Sequence, residues 1–386
     1  PPRDSIRRQR QMCIRDRVCT ALVTGATSQL GRLVVGDLVA RGHAVRALVR
    51  RPASESTERL RVGQRAALRS GQLVLVVGDV LEPDLGVKRS GQERLGEVTE
   101  IIHLARPRAS DVAPPGALVR GLDGVAGLAR RLGRRGRLRR LVVLSTTAVA
   151  GGYGGRFYED WLEVGQPFPT EDGRAALELE LRARASAARL PVVVARHAML
   201  VGHSRTGHLE CEAGLGKLLG LGPALSKLPT WVPVPGAGEG PRYVTVSPVD
   251  YVAAGIVELA LSEAVEPGEE GATFCLADGA PPTLSELTDM LLDRVGGPEP
   301  GLRVPVDGKG PVGAAVQIAV RAGAGLAKAL GKGPPGAVPF LLRRGDHDVT
   351  NARAVLEPAG ISCPRLATYL DALYADYLSR RKRSSK

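Results

Sequence analysis

Aromatic side chains make up only 3% of this 386-residue chain. Its basic charge therefore comes without the interleaved rings on which single-stranded nucleic acid stacks, and no nucleic-acid partner is expected. Cysteine is equally sparse, with five residues at 13, 19, 211, 275 and 363, no C-x-x-C spacing and no Cys/His cluster. That pattern argues against a disulfide framework and a structural zinc site, so no metal is expected. There is no run of 18 or more apolar residues and no apolar core of a signal peptide, so neither a membrane-spanning helix nor a membrane partner is expected. A cytoplasmic location is the expectation that follows. Lysine is scarce as well: eight of the 53 basic residues are lysine and 45 are arginine. This bias fits a GC-rich bacterial genome.

What is present is globular: 44% hydrophobic and 24% charged residues supply a sizeable core, and the length suits two domains or one α/β unit with an added lobe. The net charge of +13 is unevenly placed. Residues 1–17 contribute +4, residues 380–386 contribute +5, and seven arginines without an acid lie between Arg130 and Arg140. The stretch Gln11 to Arg17 (QMCIRDR) resembles the translation of a library-adapter sequence, so residues 1–17 are expected to lie outside the fold. The Arg130 run reads as a solvated helix end whose cations complement the dipole, and the final basic run as a solubilising tail.

From residue 18, short β-branched runs alternate with helical periods, the pattern of βαβ units and a parallel sheet covered on both faces. Strands are expected at 19–24, 44–49, 73–77, 100–104, 141–144 and 191–195, with helices near 29–41, 54–67, 117–132 and 174–188 and Gly42 closing the first helix. After about residue 200 come a Gly/Pro-rich stretch at 201–248, a helix from about Asp250, a strand at 273–276 and a capping box opening at Thr283. The segment 310–331 reads as a soluble lid or packing helix, because Arg321, Lys328 and several glycines interrupt it.

Between the first strand and first helix lies Thr24 to Gly31 (TGATSQLG), a glycine-rich turn at the place where helix N–H groups meet a diphosphate. It resembles the T-G-x-x-G-x-x-G fingerprint of the extended short-chain dehydrogenases/reductases, with Ser28 where the middle glycine is usual. On that resemblance Gly25, Thr27, Ser28, Gln29, Leu30 and Gly31 are expected to contact the cofactor, with the Ser28 hydroxyl a candidate donor to it. The second strand ends at Arg50 and Arg51 with no acidic residue, which favours NADP over NAD, though NAD stays open. The resemblance further implies that Asp79 and Val80 meet the adenine end, and that Ala105, in an H-L-A segment, flanks the cofactor. His103 reads as a packed strand residue.

The likeness extends to LSTT at 144–147, the Gly-Gly-x-Phe-x-Glu-Asp run at 154–160, LPVVVAR at 190–196, VGHSRTG at 201–207, PVDYV at 248–252, and Asn351 with ISCP at 361–364. Together these resemble the thioester-reductase-like, or male-sterility-like, branch. The implied fold is α/β: a Rossmann-type doubly wound parallel sheet with a smaller C-terminal substrate lobe. The expected organisation is 18–200 for the dinucleotide-binding domain, 201–379 for the lobe interleaved with it, and 380–386 for the tail.

The family's active site implies a Ser/Thr, a Tyr and a Lys four residues later, the Tyr moving a proton and the Lys lowering its pKa. Ser145, Thr146 and Thr147 can supply the hydroxyl. Counting back from Arg196 and Glu178 puts Thr170 at the tyrosine position and Arg174 at the lysine position. Threonine lacks the acidity and arginine stays charged, although Arg174 can still bond a ribose or a carboxylate. Tyr153 and Tyr158 lie upstream. The expected catalytic group is thus Thr146, Thr147 and Arg174. The expected function is NADPH-dependent reduction of a small carbonyl or thioester-derived substrate at a degenerate site, with a homodimer as the candidate assembly. The alternative is a non-catalytic dinucleotide-binding sensor.

Overall fold

The computed structural model describes residues 19–106, 116–210, 219, 234–236, 242–296, 303–305 and 345–384. The segment 1–17, the helix expected at 310–331 and most of the 201–248 stretch lie outside the described residues. The strands are β1 (Thr20–Thr24), β2 (Ala44–Val49), β3 (Leu73–Val77), β4 (Glu100–His103), β5 (Arg140–Thr146), β6 (Val192–His197), β7 (Met199–Val201), β8 (Val234–Gly236), β9 (Val246–Pro248), β10 (Ala272–Leu276) and β11 (Arg303–Pro305). Seven of them form one parallel sheet in the order β10-β6-β5-β4-β1-β2-β3. This is the doubly wound arrangement that the alternation of runs implied.

Of the described residues, those up to Leu144, with Arg182–Val193 and Leu259–Gly271, form one compact unit, and the remainder form a second. In the first unit β1 is the hinge of the topology, pairing in parallel with β2 (Thr20 opposite Ala44) and with β4 (Ala21 opposite Glu100). Its apolar residues Ala21, Leu22 and Val23 are fully buried, as a central strand covered on both faces requires. Helix α1 (Gln29–Ala40) starts on the Ser28 cap and stops at Gly42, whose N–H reaches Val39 O at 3.0 Å. The helix expected over 54–67 is two, α2 (Glu55–Gly63) and α3 (Arg65–Arg69), because Gln64 leaves helical geometry at φ −127°, ψ 32°. Gly63 just before it is a weak helix former. Helix α4 (Arg89–Leu95), absent from the sequence reading, precedes β4, and α5 (Ala117–Arg134) precedes β5.

In the second unit, α6 (Glu171–Ala187), whose residues from Arg182 on belong to the first unit, opens three residues earlier than its period implied. The Thr170 hydroxyl accepts from Gly173 N at 3.4 Å just before that helix, the position of a cap. Helix α7 (Val249–Leu261) follows β9. Helix α8 (Leu284–Val295) begins with the expected capping box, Thr283 and Glu286 each bonding the other's backbone N–H. It shares a core with β7, β9 and α10 (Leu366–Ser384), built from Val201, Val246, Leu287, Leu291, Leu366, Tyr369 and Leu370. The short helix α9 (Thr350–Leu356) precedes α10. The basic run from Arg380 continues α10 instead of starting a free tail: Arg380 pairs with Asp376 one turn back and donates to Leu209 O. Such i,i+4 pairs support helix.

Replacing Thr283 by Ala removes one half of the capping box and is expected to lower stability by about 1 kcal/mol, with Thr283→Ser neutral, as read from urea denaturation midpoints.

Candidate functional site

The glycine-rich turn folds as its residues dictate. Gly25 sits at φ +70°, a left-handed conformation, and a Cβ there would come within 2.8 Å of the Leu104 carbonyl carbon and oxygen. A Cβ on Gly31 would lie 2.2 Å from Gly25 O, so only glycine lets α1 approach β1 this closely. The end of β4 is locked to the same turn: Ala105 N donates to Thr24 Oγ1 at 3.2 Å, and Thr24 Oγ1 bonds His103 Nδ1 at 2.8 Å. Burial, and after it the charge of Arg106, push the His103 ring down to about 4. It is a neutral packed residue, as the sequence suggested.

Ser28 is where the turn departs from expectation. Its hydroxyl accepts from Gly31 N at 3.0 Å and donates to Gly25 O at 2.9 Å, closing the turn on itself rather than pointing a donor outward. The α1 N-terminus still presents first-turn N–H groups and positive dipole, the elements that bind a diphosphate. Leu30 is 6% exposed, so only its backbone can face a ligand. Thr27 O is held by Arg32 Nη1 at 2.6 Å. The turn thus fits a dinucleotide diphosphate through backbone groups.

At the neighbouring strand ends, Arg50 and Arg51 are exposed after β2, and Arg51 O accepts from Thr57 Oγ1 at 2.8 Å, which fixes the loop into α2. Asp79 accepts from Leu81 N at 3.0 Å through its side chain and donates from its backbone to Leu85 O at 2.8 Å. Val80 lies under α5, where a Cβ on Gly124 would come within 2.5 Å of the Val80 carbonyl oxygen.

In the second unit, the end of β5 carries the three hydroxyls. Ser145 is fully buried and donates to Glu180 Oε1 at 2.5 Å, so it is committed to the interior. Thr146 Oγ1 accepts from Ala148 N at 3.2 Å, capping the next turn, and Thr147 is 1% exposed. Arg174 is exposed on α6. Tyr153 packs edge-on against Phe157 and Trp161 at 5.9 and 5.6 Å, and Tyr158 against Trp161 at 4.8 Å, so both tyrosines belong to one aromatic cluster.

The residue that organises this end is Arg196 on β6. It bonds both carboxylate oxygens of Glu180 and donates to Glu159 O at 2.9 Å and Trp161 O at 2.7 Å, with its guanidinium 5.5 Å from the Phe157 ring centre. Burial disfavours the cation, but the Glu180 carboxylate outweighs it and raises the Arg196 pKa. The carboxylate facing Arg196 is therefore Glu180 and not Glu178, which is exposed. This moves the backward count by two residues, from Thr170 and Arg174 to Asp172 and Ala176. Ala176 is fully buried against Val149, Ala150 and Phe157. A helical-period signal for Glu180 was available, because Ala176, Leu179, Ala183 and Ala187 form the buried stripe to which it belongs.

Glu159, in the 154–160 run, had no role in the sequence reading. Its buried carboxylate accepts from Cys275 N at 2.6 Å, Asn351 N at 2.5 Å and Ala352 N at 3.1 Å, tying that run to β10 and the start of α9. Burial pushes its carboxyl from 4.5 up to about 7, against the pull of those three donors.

Two outcomes test this arrangement. Glu180→Ala strands a buried cation and is expected to cost about 3–5 kcal/mol. Adding Arg196→Met is expected to cost less than the sum of the singles by about 1–3 kcal/mol in a denaturation cycle. For Glu159 the folded state holds the proton more tightly than the unfolded chain, so its stabilisation is full below about 4.5 and is lost as pH rises through about 7. The melting-temperature difference between wild type and Glu159→Gln is expected to move against wild type across that window.

Among the described residues no helix is long and apolar enough to cross a membrane. The chain matches the family described as male sterility protein over residues 23–256. Its structure is similar to the terminal R domain of the myxalamid PKS-NRPS biosynthetic pathway, with a TM-score of 0.68, 25% identity, and coverage of 94% of this chain and 91% of that one. A likeness of fold alone links it to the reductase (R) domain of a nonribosomal peptide synthetase from Mycobacterium tuberculosis, with a TM-score of 0.67, 22% identity, and coverage of 95% and 92%. A hybrid PKS-NRPS synthetase of Talaromyces variabilis is 26% identical over 257 residues, which are 64% of this chain and span only 6% of that protein. The chain belongs to the NAD(P)-binding male sterility family, in the thioester-reductase-like branch of the extended short-chain dehydrogenases/reductases.

Proposed function

We propose that the chain is an NADPH-dependent reductase of a carbonyl or thioester-derived carbonyl. The observation that carries the reading is the backbone diphosphate cradle from Gly25 to Gly31 beside a β2 end that presents Arg50 and Arg51 and no carboxylate. Arginine forks suit a 2′-phosphate, whereas an acidic residue there would hold the ribose 2′-hydroxyl. When bound, the nicotinamide dinucleotide supplies the hydride. The chain's own residues bind and orient: the Gly25–Gly31 backbone holds the diphosphate, Asp79 and Val80 the adenine end, and Ala105 flanks it. Thr147 or Thr146 would orient the substrate oxygen, with Arg174 as an exposed cation for a carboxylate or phosphate group. The likeness to assembly-line reductase domains supports a thioester-bound acyl group as the substrate class.

A second reading, a non-catalytic dinucleotide sensor, is favoured by one observation. Neither Thr170 with Arg174 nor Asp172 with Ala176 supplies a tyrosine and a lysine.

NADPH oxidation in the presence of aldehydes and acyl thioesters separates the two. The reductase reading predicts saturable turnover that Thr147→Val lowers roughly 100-fold without changing the dissociation constant for NADPH. Retained NADPH binding with no turnover establishes the sensor. For cofactor choice, Arg50→Gln with Arg51→Gln is expected to weaken NADPH about tenfold or more and leave NADH unchanged in calorimetric titration, the loss expected for a charge-assisted phosphate contact.

A further inference from the structure

The residue after Ala105 is Arg106, standing where the family's H-L-A-A segment has a second alanine. Three features set this residue beside the phosphate-binding turn. First, the Leu104–Ala105 peptide abuts Gly25 so closely that a Cβ on Gly25 would lie 2.9 Å from Ala105 N. Arg106 therefore stands one residue beyond that contact and three beyond the end of β4, and consecutive Cα atoms are only about 3.8 Å apart. Second, the Arg106 cation acts on His103, whose ring is bonded to Thr24 at the β1 end of the same turn. Third, Arg106 is half-buried, so its guanidinium is not simply a solvated surface charge.

The turn has a matching need. The Ser28 hydroxyl is closed between Gly25 O and Gly31 N, and so offers no donor outward where the family's glycine would let the backbone approach the diphosphate. The charge that must balance a diphosphate here has no basic side chain in the turn itself, since Ala26, Thr27, Ser28, Gln29 and Leu30 are all uncharged. Arginine meets paired phosphate oxygens with a rigid fork of N–H donors.

We propose that Arg106 is a cofactor-binding residue of this chain, its guanidinium bonding the diphosphate of the dinucleotide and compensating for serine at position 28. This rests on the dinucleotide-binding reading above. It predicts a contact common to NADPH, NADH and ADP-ribose, in contrast to Arg50 and Arg51, which would recognise only the 2′-phosphate.

The test is Arg106→Ala, which restores the family's residue, in calorimetric titrations with NADPH, NADH, ADP-ribose and adenosine 2′-monophosphate at two salt concentrations. The expected result is about tenfold weaker binding of the first three, about 1.4 kcal/mol, with a shallower salt dependence and an unchanged affinity for the 2′-monophosphate, which has no 5′-phosphate. Arg106→Lys is expected to recover part of the loss. Unchanged affinity for ADP-ribose and NADPH, or a loss confined to the 2′-monophosphate, overturns the assignment. An equal loss for all four ligands with a lowered melting temperature assigns Arg106 a structural role and overturns it too. Failure of the wild-type chain to bind any of the four instead overturns the dinucleotide reading itself, and this one with it.

Discussion

A buried ion pair fixes the end of the sheet from which the candidate catalytic hydroxyls come. Arg196 and Glu180 are almost completely excluded from solvent, and taking two charges out of water is costly unless each finds its full set of partners. Here both do. Glu180 takes the Arg196 fork and the Ser145 hydroxyl, while Arg196 also satisfies the carbonyls of Glu159 and Trp161. The pair therefore holds α6, the last residues of β5 and the 157–161 run in one arrangement, and Thr146 and Thr147 follow directly from the residue it anchors. A hydrophobic pair of equal volume would fill the space without specifying which carbonyls and which hydroxyl meet there.

Glu159 extends this order. Its backbone carbonyl accepts from Arg196 while its carboxylate gathers three backbone N–H groups from β10 and the start of α9, so one short run joins the Arg196 cluster to both elements in the second unit. The first unit achieves its order by the opposite means. Its turn contains no charged side chain and depends on two glycines whose missing Cβ atoms allow contact closer than any other residue permits.

Much of this was legible in the sequence. The β1 turn and α1, the parallel sheet and the Thr283 capping box follow from local chemistry: glycine at two fixed places, continuous apolar runs, and a Thr with a Glu three residues on. What escaped was set by long-range pairing. The apolar stripe of α6 sets Glu180 rather than Glu178 on its buried face, but that a buried carboxylate there meets Arg196 is fixed by a partner 16 residues away on β6. The direction of the Ser28 hydroxyl was likewise open, because a serine before a helix can cap the helix or face a ligand, and the free N–H of Gly31 settled it. Gln64 broke a period that read as one helix, since periodicity does not report a single residue's backbone angles.

The proposed function requires that the cofactor-binding half take up NADPH although no tyrosine–lysine pair occupies the first turns of α6. The most direct measurement is the melting temperature of the chain titrated with NADPH. The expected shift rises with ligand and follows a single-site binding curve, since a ligand that binds only the folded state stabilises it by mass action. No shift at any concentration of NADPH or NADP would contradict it.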